Sequence, residues 1–320
     1  MSLILEGFTP GQLRIECADP DLLLRYVRVG VCALAGAEAA YDGGPPPYMP
    51  RAIYPAGFVR LTRKERDFLA QTIFCGPPQK PQGANTLPPL KFIDATSFMP
   101  RLQELAARYA GVPPLEQLAE ALGGYGYVKK VCTATSMAGL ATASVVDKKT
   151  DNYSPDTPGE RPGLHIDQWY RMPLDRRFHV DSWPRLIFNM GPVGMRRANV
   201  MFPDIQTMAD TLGLSPGHIP TSKDMATYVE RQNRERRRVF CLSFPLPAGA
   251  GYLLPSEAVG HDGSTLTIAA DQLPTTTLLM HTDLSVGARE PFPDMYAPGS
   301  AFYDLLARGA LLDDYPVFSG

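Results

Sequence analysis

From about residue 125 to residue 285 the chain consists of short apolar segments separated by turn-forming residues. The segments are rich in β-branched and aromatic side chains, and Gly, Pro, Asp or Ser bounds each of them, as in RLIFNMGP, RVFCLSFPLP and GYLLPSEAVG. Such residues favour strands, and turns at short intervals join strands to their neighbours. About eight such strands in one region predict an all-β sandwich, jelly roll or barrel.

The regions on either side have the pattern of helices. Residues 1–124 contain four segments with apolar residues at helical spacing, and the first of these, residues 19–41, begins with Asp19, a suitable N-cap. We therefore predict a mainly β protein with flanking helices. Its parts are a mostly helical N-terminal layer over 1–124, a β core over 125–285 with a helical insertion near 204–238, and a helical tail over 286–320.

Composition limits the classes of partner. The net charge is −2 and the isoelectric point is about 6.2, which gives no basis for binding nucleic acid or an anionic membrane. The basic run at 231–238 has the pattern of a solvated helix face. Five cysteines without a CxxC pair, together with the lack of a signal peptide or transmembrane run, predict a reduced, cytoplasmic protein. The sequence leaves a homodimer open.

Two His-x-Asp motifs stand close together in a chain that has five histidines. His165 and Asp167 form the first, in GLHIDQW, and His179 and Asp181 form the second, in FHVDSW. On an extended segment residues i and i+2 project to the same side, so each motif offers an imidazole and a carboxylate to one ligand. Two histidines and one carboxylate on one face of an octahedron are the ligands of many mononuclear Fe(II) oxygenases.

The first motif is the better metal-binding candidate. It follows a polar, proline-containing loop at 147–163, where a strand facing the mouth of a barrel would begin. The second motif follows an Arg- and Asp-rich turn and directly precedes the apolar segment PRLIFNMG. We interpret that second copy as the far side of a hairpin or excursion without a metal.

The second histidine of such a set comes from much later in the chain, and three candidates remain. His218 lies in the loop-like segment LSPGHIP, and His281 lies in the middle of the segment LLMHTDL. His261 follows a Gly-led apolar segment and a bend, and the chain between Asp167 and His261 is long enough for several strands and the helical insertion. We favour His261, with His281 as the alternative.

The combination GLHIDQW…RLIFNMGP…GYLLPSEAVGHDGST resembles the Fe(II)/2-oxoglutarate-dependent oxygenase superfamily. Members show a Gly-x-His-x-Asp motif and, far downstream, a Gly-led strand that ends near a histidine. The resemblance covers residues 125–285. It implies a double-stranded β-helix fold, Fe(II) held by His165, Asp167 and His261, and 2-oxoglutarate chelating the metal.

One feature of that family is missing here. Many members bind the distal carboxylate of 2-oxoglutarate with an Arg soon after the second histidine, whereas residues 262–280 contain no Arg or Lys. Arg185, on the segment between the two motifs, is our candidate anchor because a guanidinium binds a carboxylate through two hydrogen bonds. Asn189 would share its face and add a hydrogen bond. The alternatives are the cations Arg196 and Arg197 and the hydroxyls Ser264, Thr275 and Thr277.

The leading hypothesis is an Fe(II)- and 2-oxoglutarate-dependent dioxygenase that uses O₂ to oxidise a C–H bond of a small molecule, by hydroxylation or a related oxidation. The expected substrate is an amino acid or a natural-product intermediate. One rival is an Fe(II)-dependent oxygenase or oxidase of the same fold that does not use 2-oxoglutarate. The other is a metal-free β-sandwich binding protein in which the histidines are incidental.

Overall fold

The structure is a computed structural model, and it describes most of the chain. The described residues are 7–36, 48–75, 87–109, 113–123, 128–134, 140–144, 146–147, 159–168, 171–177, 184–190, 195–266, 277–282 and 292–309. None of the helices within these ranges is both long and apolar enough to cross a membrane.

Strands account for most of the regular structure. In the N-terminal part they are β1 (Ile15–Glu16), β2 (Arg28–Leu34), β3 (Tyr48–Pro55), β4 (Val59–Arg60), β5 (Phe74–Cys75) and β6 (Leu90–Asp94). They continue with β7 (Val128–Ala134), β8 (Val146–Asp147), β9 (Gly159–Gly163), β10 (Arg185–Phe188), β11 (Met195–Phe202), β12 (Phe240–Pro247), β13 (Ala250–Leu254), β14 (His261–Ser264) and β15 (Thr277–Thr282).

The helices lie mainly at the two ends of the chain and in one insertion. They are α1 (Pro20–Tyr26), α2 (Arg63–Thr72), α3 (Met99–Tyr109), α4 (Leu115–Ala121), α5 (Leu174–Arg177), α6 (Ile205–Leu212), α7 (Ser222–Arg234) and α8 (Tyr303–Ala307).

The strands form two sheets. One has the order β5-β1-β6-β13-β10-β15-β7, and the other has the order β14-β11-β12-β2-β3-β9-β8, with β4 paired to β2. A core of buried apolar residues, among them Phe92, Phe244 and Tyr252, fills the space between the sheets. A second apolar cluster, with Phe98, Leu102 and Phe188, packs α3 and α4 onto the outer face of the first sheet. The molecule is therefore a sandwich with helices on its outside.

The pairing of the strands after residue 125 is nested. Leaving aside the two-residue β8, the first core strand β7 pairs with the last, β15, and the third, β10, pairs with the sixth, β13. The fourth strand, β11, pairs with the fifth, β12. The second strand is β9, and the segment that follows it pairs through His165 with the seventh strand, β14. Nested pairing of eight antiparallel strands in two sheets is a jelly roll, or double-stranded β-helix. The predicted mainly β fold with flanking helices is confirmed.

Two backbone bridges close the second sheet into a ring. Leu164 pairs with Ile53 of β3, and His165 pairs with His261 of β14. The amide of His165 donates to the carbonyl of His261 at 3.0 Å, and the amide of His261 donates to the carbonyl of His165 at 2.8 Å. We call the His165–His261 pair the closing bridge. It places the first His-x-Asp motif beside the distal histidine.

The N-terminal region is less helical than the sequence predicts. The predicted helix over 19–41 ends at Tyr26, and β2 follows it at once. This strand is hydrogen-bonded to β12, and β6 is hydrogen-bonded to β13, so N-terminal strands extend both sheets. The division of the chain at residue 124 stays a prediction.

The helical insertion agrees with the sequence. Helix α6 begins after Asp204, whose side chain accepts from the amides of Gln206 and Thr207, and it ends at Gly213 in the left-handed conformation. Helix α7 begins with a capping box formed by Thr221 and Asp224. In the predicted tail, the described residues include the short helix α8.

Candidate metal centre

The first His-x-Asp motif lies just beyond β9, at the closing bridge. Gly163 ends β9 with φ of +69°, a conformation that favours glycine, and a Cβ there would lie 2.2 Å from the carbonyl oxygen of Ile53. Two residues beyond His165, the amide of Asp167 donates to the carbonyl of Ser256 at 3.0 Å. Backbone hydrogen bonds therefore fix both members of the motif against the segment that leads into β14.

Three side chains meet at this point, namely those of His165, Asp167 and His261. One ligating atom from each lies within 4.8 Å of the others. All three are buried, with exposed fractions of 8%, 4% and 3%. The structure thus brings together the three residues that the sequence nominates as metal ligands.

Both imidazole rings are oriented by backbone carbonyls two residues earlier. Nδ1 of His165 lies 2.8 Å from the carbonyl oxygen of Gly163, and Nδ1 of His261 lies 3.1 Å from that of Val259. A carbonyl accepts only, so each Nδ1 carries the hydrogen and each Nε2 keeps its lone pair. Histidines that bind metals in proteins are commonly fixed in this way, by a hydrogen bond to the other ring nitrogen.

Asp167 has a buried cationic partner. Nη2 of Arg185 lies 2.7 Å from Oδ2 of Asp167, with side chains 2% and 3% exposed. Burial by itself would raise the pKa of Asp167, but the charge of Arg185, joined by those of His261 and His165 when these rings are protonated in acid, holds that pKa below its ordinary value. The carboxylate is therefore ionised at neutral pH.

His261 is held in its neutral form. Burial lowers the pKa of His261 to about 4, and the attraction of Asp167 only partly opposes this effect. Nε2 of His261 lies 3.6 Å from Oδ2 of Asp167. At neutral pH the pair is a neutral imidazole beside a carboxylate, the protonation states that bind a metal.

The donor set fits a divalent transition metal. Its bonds to nitrogen and carboxylate oxygen are about 2.1 Å long, so adjacent ligand atoms in an octahedron lie about 3 Å apart. The separation of 3.6 Å between His261 Nε2 and Asp167 Oδ2 is close to this value. The site also has room at one side, since a Cβ at Gly263 would meet no atom of the described chain within 4 Å. Gly263 shares the face of β14 that carries His261, because side chains alternate along a strand.

Comparisons with known proteins add little to this description of the site. No model of a known protein family matches the sequence, and no curated protein is significantly similar to it. One solved structure with some likeness is that of the Kdo hydroxylase KdoO, a non-heme Fe(II) α-ketoglutarate-dependent dioxygenase in complex with succinate and Fe(III). The match covers 70% of this chain and 75% of that one, at 16% identity and a TM-score of 0.27. A likeness this weak carries no functional argument.

The remaining histidines are His179, His218 and His281. His179 and Asp181 of the second motif lie outside the described residues. His218 lies in a loop, as predicted, with its Nε2 3.1 Å from Oδ2 of Asp224. The backbone of His281 lies on β15 opposite Arg185.

The predicted cosubstrate residues are placed as follows. Asn189 is buried beyond the end of β10 and donates its Nδ2 to the carbonyl of Leu246 at 2.7 Å. Arg197 is also buried, and its guanidinium donates to the side chain and carbonyl of Ser243. The hydroxyl of Ser264 donates to the carbonyl of Leu140. Arg196 and Thr277 lie on strands β11 and β15, and Thr275 lies outside the described residues.

One buried acidic residue beside the site was not anticipated from the sequence. Asp262 follows His261 directly but projects to the opposite face of β14. Its Oδ1 accepts from the hydroxyl of Ser144 at 2.6 Å and from the amide of Gly263 at 2.6 Å. The sequence His-Asp-Gly shows the residue, but only the packing of residues 140–144 against β14 shows that it is buried.

Proposed function

We propose that this protein is an Fe(II)- and 2-oxoglutarate-dependent oxygenase that uses O₂ to oxidise a C–H bond. The observation that carries the proposal is the buried cluster of His165, Asp167 and His261, in which both rings give their Nδ1 hydrogen to the backbone. In the neutral ring this leaves the lone pair on Nε2, the atom that would bind a metal. Two imidazoles and a carboxylate form the facial set of Fe(II) oxygenases, with the other coordination positions open to cosubstrate and O₂.

Fe(II) held there would supply the activation of O₂, coupled to oxidative decarboxylation of 2-oxoglutarate. The chain itself orients and protects the site. The closing bridge fixes the two histidines relative to each other, and Arg185 keeps Asp167 ionised. Burial of all three ligands excludes bulk water, which protects a reactive centre from side reactions.

The proposed cosubstrate anchor is Arg185, and Asn189, four residues further along the chain, is the proposed second contact. A guanidinium fits the planar carboxylate of 2-oxoglutarate, and that of Arg185 is buried next to the metal ligands. Asn189 lies just beyond the same strand, with its amide bound to Leu246. The contact of Arg185 with Asp167 supports the first assignment. The second is supported by the place of Asn189 four residues after Arg185 in the sequence.

We propose a small-molecule substrate, such as an amino acid or a natural-product intermediate. On the face of β14 that carries His261, a Cβ at Gly263 would meet no atom of the described chain within 4 Å, which supports space for a small molecule beside the candidate ligands. The overall charge of −2 also gives no support for a nucleic-acid substrate.

A second candidate is an Fe(II)-dependent oxygenase or oxidase that does not use 2-oxoglutarate. Two observations favour it. Residues 262–280 contain no Arg or Lys, and Nη2 of Arg185 already contacts Asp167.

An anaerobic titration with Fe(II), followed optically with and without 2-oxoglutarate, tests these proposals. We expect iron to bind the wild type, and a visible charge-transfer band to develop only when iron and 2-oxoglutarate are both present. Iron binding without that band would favour the second candidate. A wild type that binds no iron would contradict both and favour a metal-free binding protein.

Matched histidine variants show whether the iron is bound at the proposed cluster. His261→Ala and Asp167→Ala remove a ligand and should abolish tight binding. His218→Ala removes a histidine that lies in a loop, paired with Asp224, and should bind iron like the wild type. Equal iron binding by His261→Ala and His218→Ala would place the metal elsewhere.

A further inference from the structure

The Arg185–Asp167 ion pair connects the two sheets at the metal centre. Arg185 lies on β10 of the first sheet, whereas Asp167 follows β9, which belongs to the second. The pair is 2.7 Å long and its side chains are 2% and 3% exposed. Water therefore screens this interaction little, and any third charge that enters the site acts strongly on both partners.

The charges of the groups in direct contact at the site are balanced before a metal binds, and the other nearby carboxyl, that of Asp262, projects to the opposite face of β14. One carboxylate and one guanidinium sum to zero, and imidazoles are neutral when they bind a metal. A divalent ion would leave the site with two uncompensated positive charges in a buried environment, which is costly. A dianion bound beside the metal would restore the balance. The site is therefore suited to take up a metal and a dianion together.

We propose that Arg185 exchanges partners: it pairs with Asp167 in the metal-free site and pairs with the anionic cosubstrate once a divalent metal binds Asp167. This inference rests on the proposed function and adds an order of events to it. Arg185 weakens the binding of metal alone because it competes with the metal for Asp167. Metal and 2-oxoglutarate strengthen each other's binding, because the positive charge of the metal and the negative charge of 2-oxoglutarate neutralise each other in the buried site.

A purely structural role for Arg185 predicts the opposite result. If the guanidinium only positioned Asp167, its removal would disturb a ligand and weaken metal binding. If the guanidinium competes with the metal for Asp167, its removal strengthens the binding of metal alone. The sign of the change separates the two roles.

The test is calorimetric titration of Mn(II), which avoids oxidation, with and without 2-oxoglutarate. We expect 2-oxoglutarate to tighten Mn(II) binding to the wild type by on the order of 100-fold. Arg185→Gln should bind Mn(II) alone on the order of tenfold more tightly than the wild type, and 2-oxoglutarate should then add less than about fivefold. Arg185→Lys keeps the charge but loses the planar guanidinium, so Mn(II) alone should bind about as in the wild type, whereas 2-oxoglutarate should tighten that binding less than in the wild type. Unchanged or weaker Mn(II) binding by Arg185→Gln would overturn the exchange.

Because Arg185→Gln leaves a buried carboxylate without its cation, a second variant tests the exchange from the other side. Asp167→Asn keeps the shape of the side chain and removes its charge, so the guanidinium no longer has an anionic partner in Asp167. Metal-free Asp167→Asn should bind succinate at least about tenfold more tightly than the metal-free wild type. The double variant with Arg185→Gln should lose this gain. Equal succinate affinity in Asp167→Asn and the wild type would reject the proposal.

The two levels of the proposal fail in different ways. A wild type that binds neither Mn(II) nor Fe(II) would remove the proposed function, and the exchange with it. A wild type that binds metal and 2-oxoglutarate, but whose Arg185→Gln variant does not bind Mn(II) more tightly, would leave the proposed function intact and remove the exchange alone.

Discussion

Asp262 is an unusual residue because it is a buried carboxylate next to a metal-ligand candidate. Among the described residues, its Oδ2 has no hydrogen-bond partner, and neither has Oδ1 of Asn199, which lies directly opposite on β11. Side chains of such cross-strand pairs lie on the same face and close together. Two acceptors therefore share a buried space without a donor. Burial raises the pKa of Asp262 to about 6, against the hydrogen bonds from Ser144 and Gly263.

We predict that Asp262→Asn stabilises the metal-free protein at neutral pH. The amide removes a buried charge and offers an N–H to Asn199. The folded pKa of Asp262 is raised above its unfolded value, so its favourable contribution is present at low pH and is lost as pH rises through about 6. The advantage of the variant should therefore grow between pH of about 4 and 6, by roughly 2–3 kcal/mol.

Denaturant unfolding of the metal-free wild type and variant from about pH 4 to about pH 8, which covers the change expected up to about pH 6 and the constant range above it, measures this difference. An advantage that does not change with pH would contradict the raised pKa. Ser144→Ala, which removes a donor to the other oxygen of Asp262 and leaves the carboxylate in place, is the control.

The end of β9 shows why a glycine precedes the His-x-Asp motif. Gly163 has a positive φ, has no room for a Cβ against Ile53, and supplies the carbonyl that orients the ring of His165. One residue thus ends the strand, allows the close approach of β3, and sets the tautomer of a ligand.

We predict that Gly163→Ala lowers the free energy of unfolding by more than about 2 kcal/mol and weakens metal binding. Left-handed strain for a non-glycine residue costs about 1–3 kcal/mol, and the clash with the Ile53 carbonyl adds to it. Gly213→Ala is a matched control, because Gly213 also has a positive φ, +73°, but a Cβ there would meet no atom of the described chain. That variant should show the strain alone and keep wild-type metal affinity. Equal losses in the two variants would show that the contact with β3 is unimportant.

Element types in the second half of the chain could be predicted well from sequence, and those in the first half less well. The segments that became β10 to β13 alternate with turn residues, so their pattern is local and clear. The predicted helix over 19–41 fails after Tyr26, where Val27, Val29 and Val31 alternate in the manner of a strand. Close approach also decides this strand, since a Cβ at Gly30 would lie 2.5 Å from the carbonyl of Gly57. Such a contact is invisible in a sequence.

The residues of the candidate site also differ in how well the sequence predicts them. His165 and Asp167 could be nominated because their spacing is local, and His261 because few histidines exist to choose from. The contact of Arg185 with Asp167 depends on how two sheets face each other, and sequence periodicity within one strand does not contain that information. The sequence predicted Arg185 near the site but not its partner.

The N-terminal strands are structural members of both sheets. Strand β2 covers the edge of β12 and carries β3, which in turn pairs with Leu164 beside the closing bridge. Strand β6 covers the edge of β13. A core without residues 1–124 would expose these edges and lose the support of the His-x-Asp segment.

We therefore predict that residues 125–285 do not fold alone. The isolated segment should lack the dispersed amide signals of a folded protein in a proton NMR spectrum, should be digested rapidly by protease, and should not bind Mn(II). The full chain is the control for each measurement. A folded, metal-binding fragment would show that the N-terminal region is a separate layer, as the sequence suggests.

The closing bridge has a consequence for oxidative damage to the protein itself. Its two histidines come from segments far apart in the sequence, and their pairing is one of the two bridges that close the ring of the second sheet. Loosely held redox metals damage nearby methionine and cysteine side chains. A newly made chain has no assembled set of ligands until its architecture is complete. On the proposed function, iron chemistry is thereby confined to finished molecules, and a chain that stalls during folding does not hold the ion that would oxidise it.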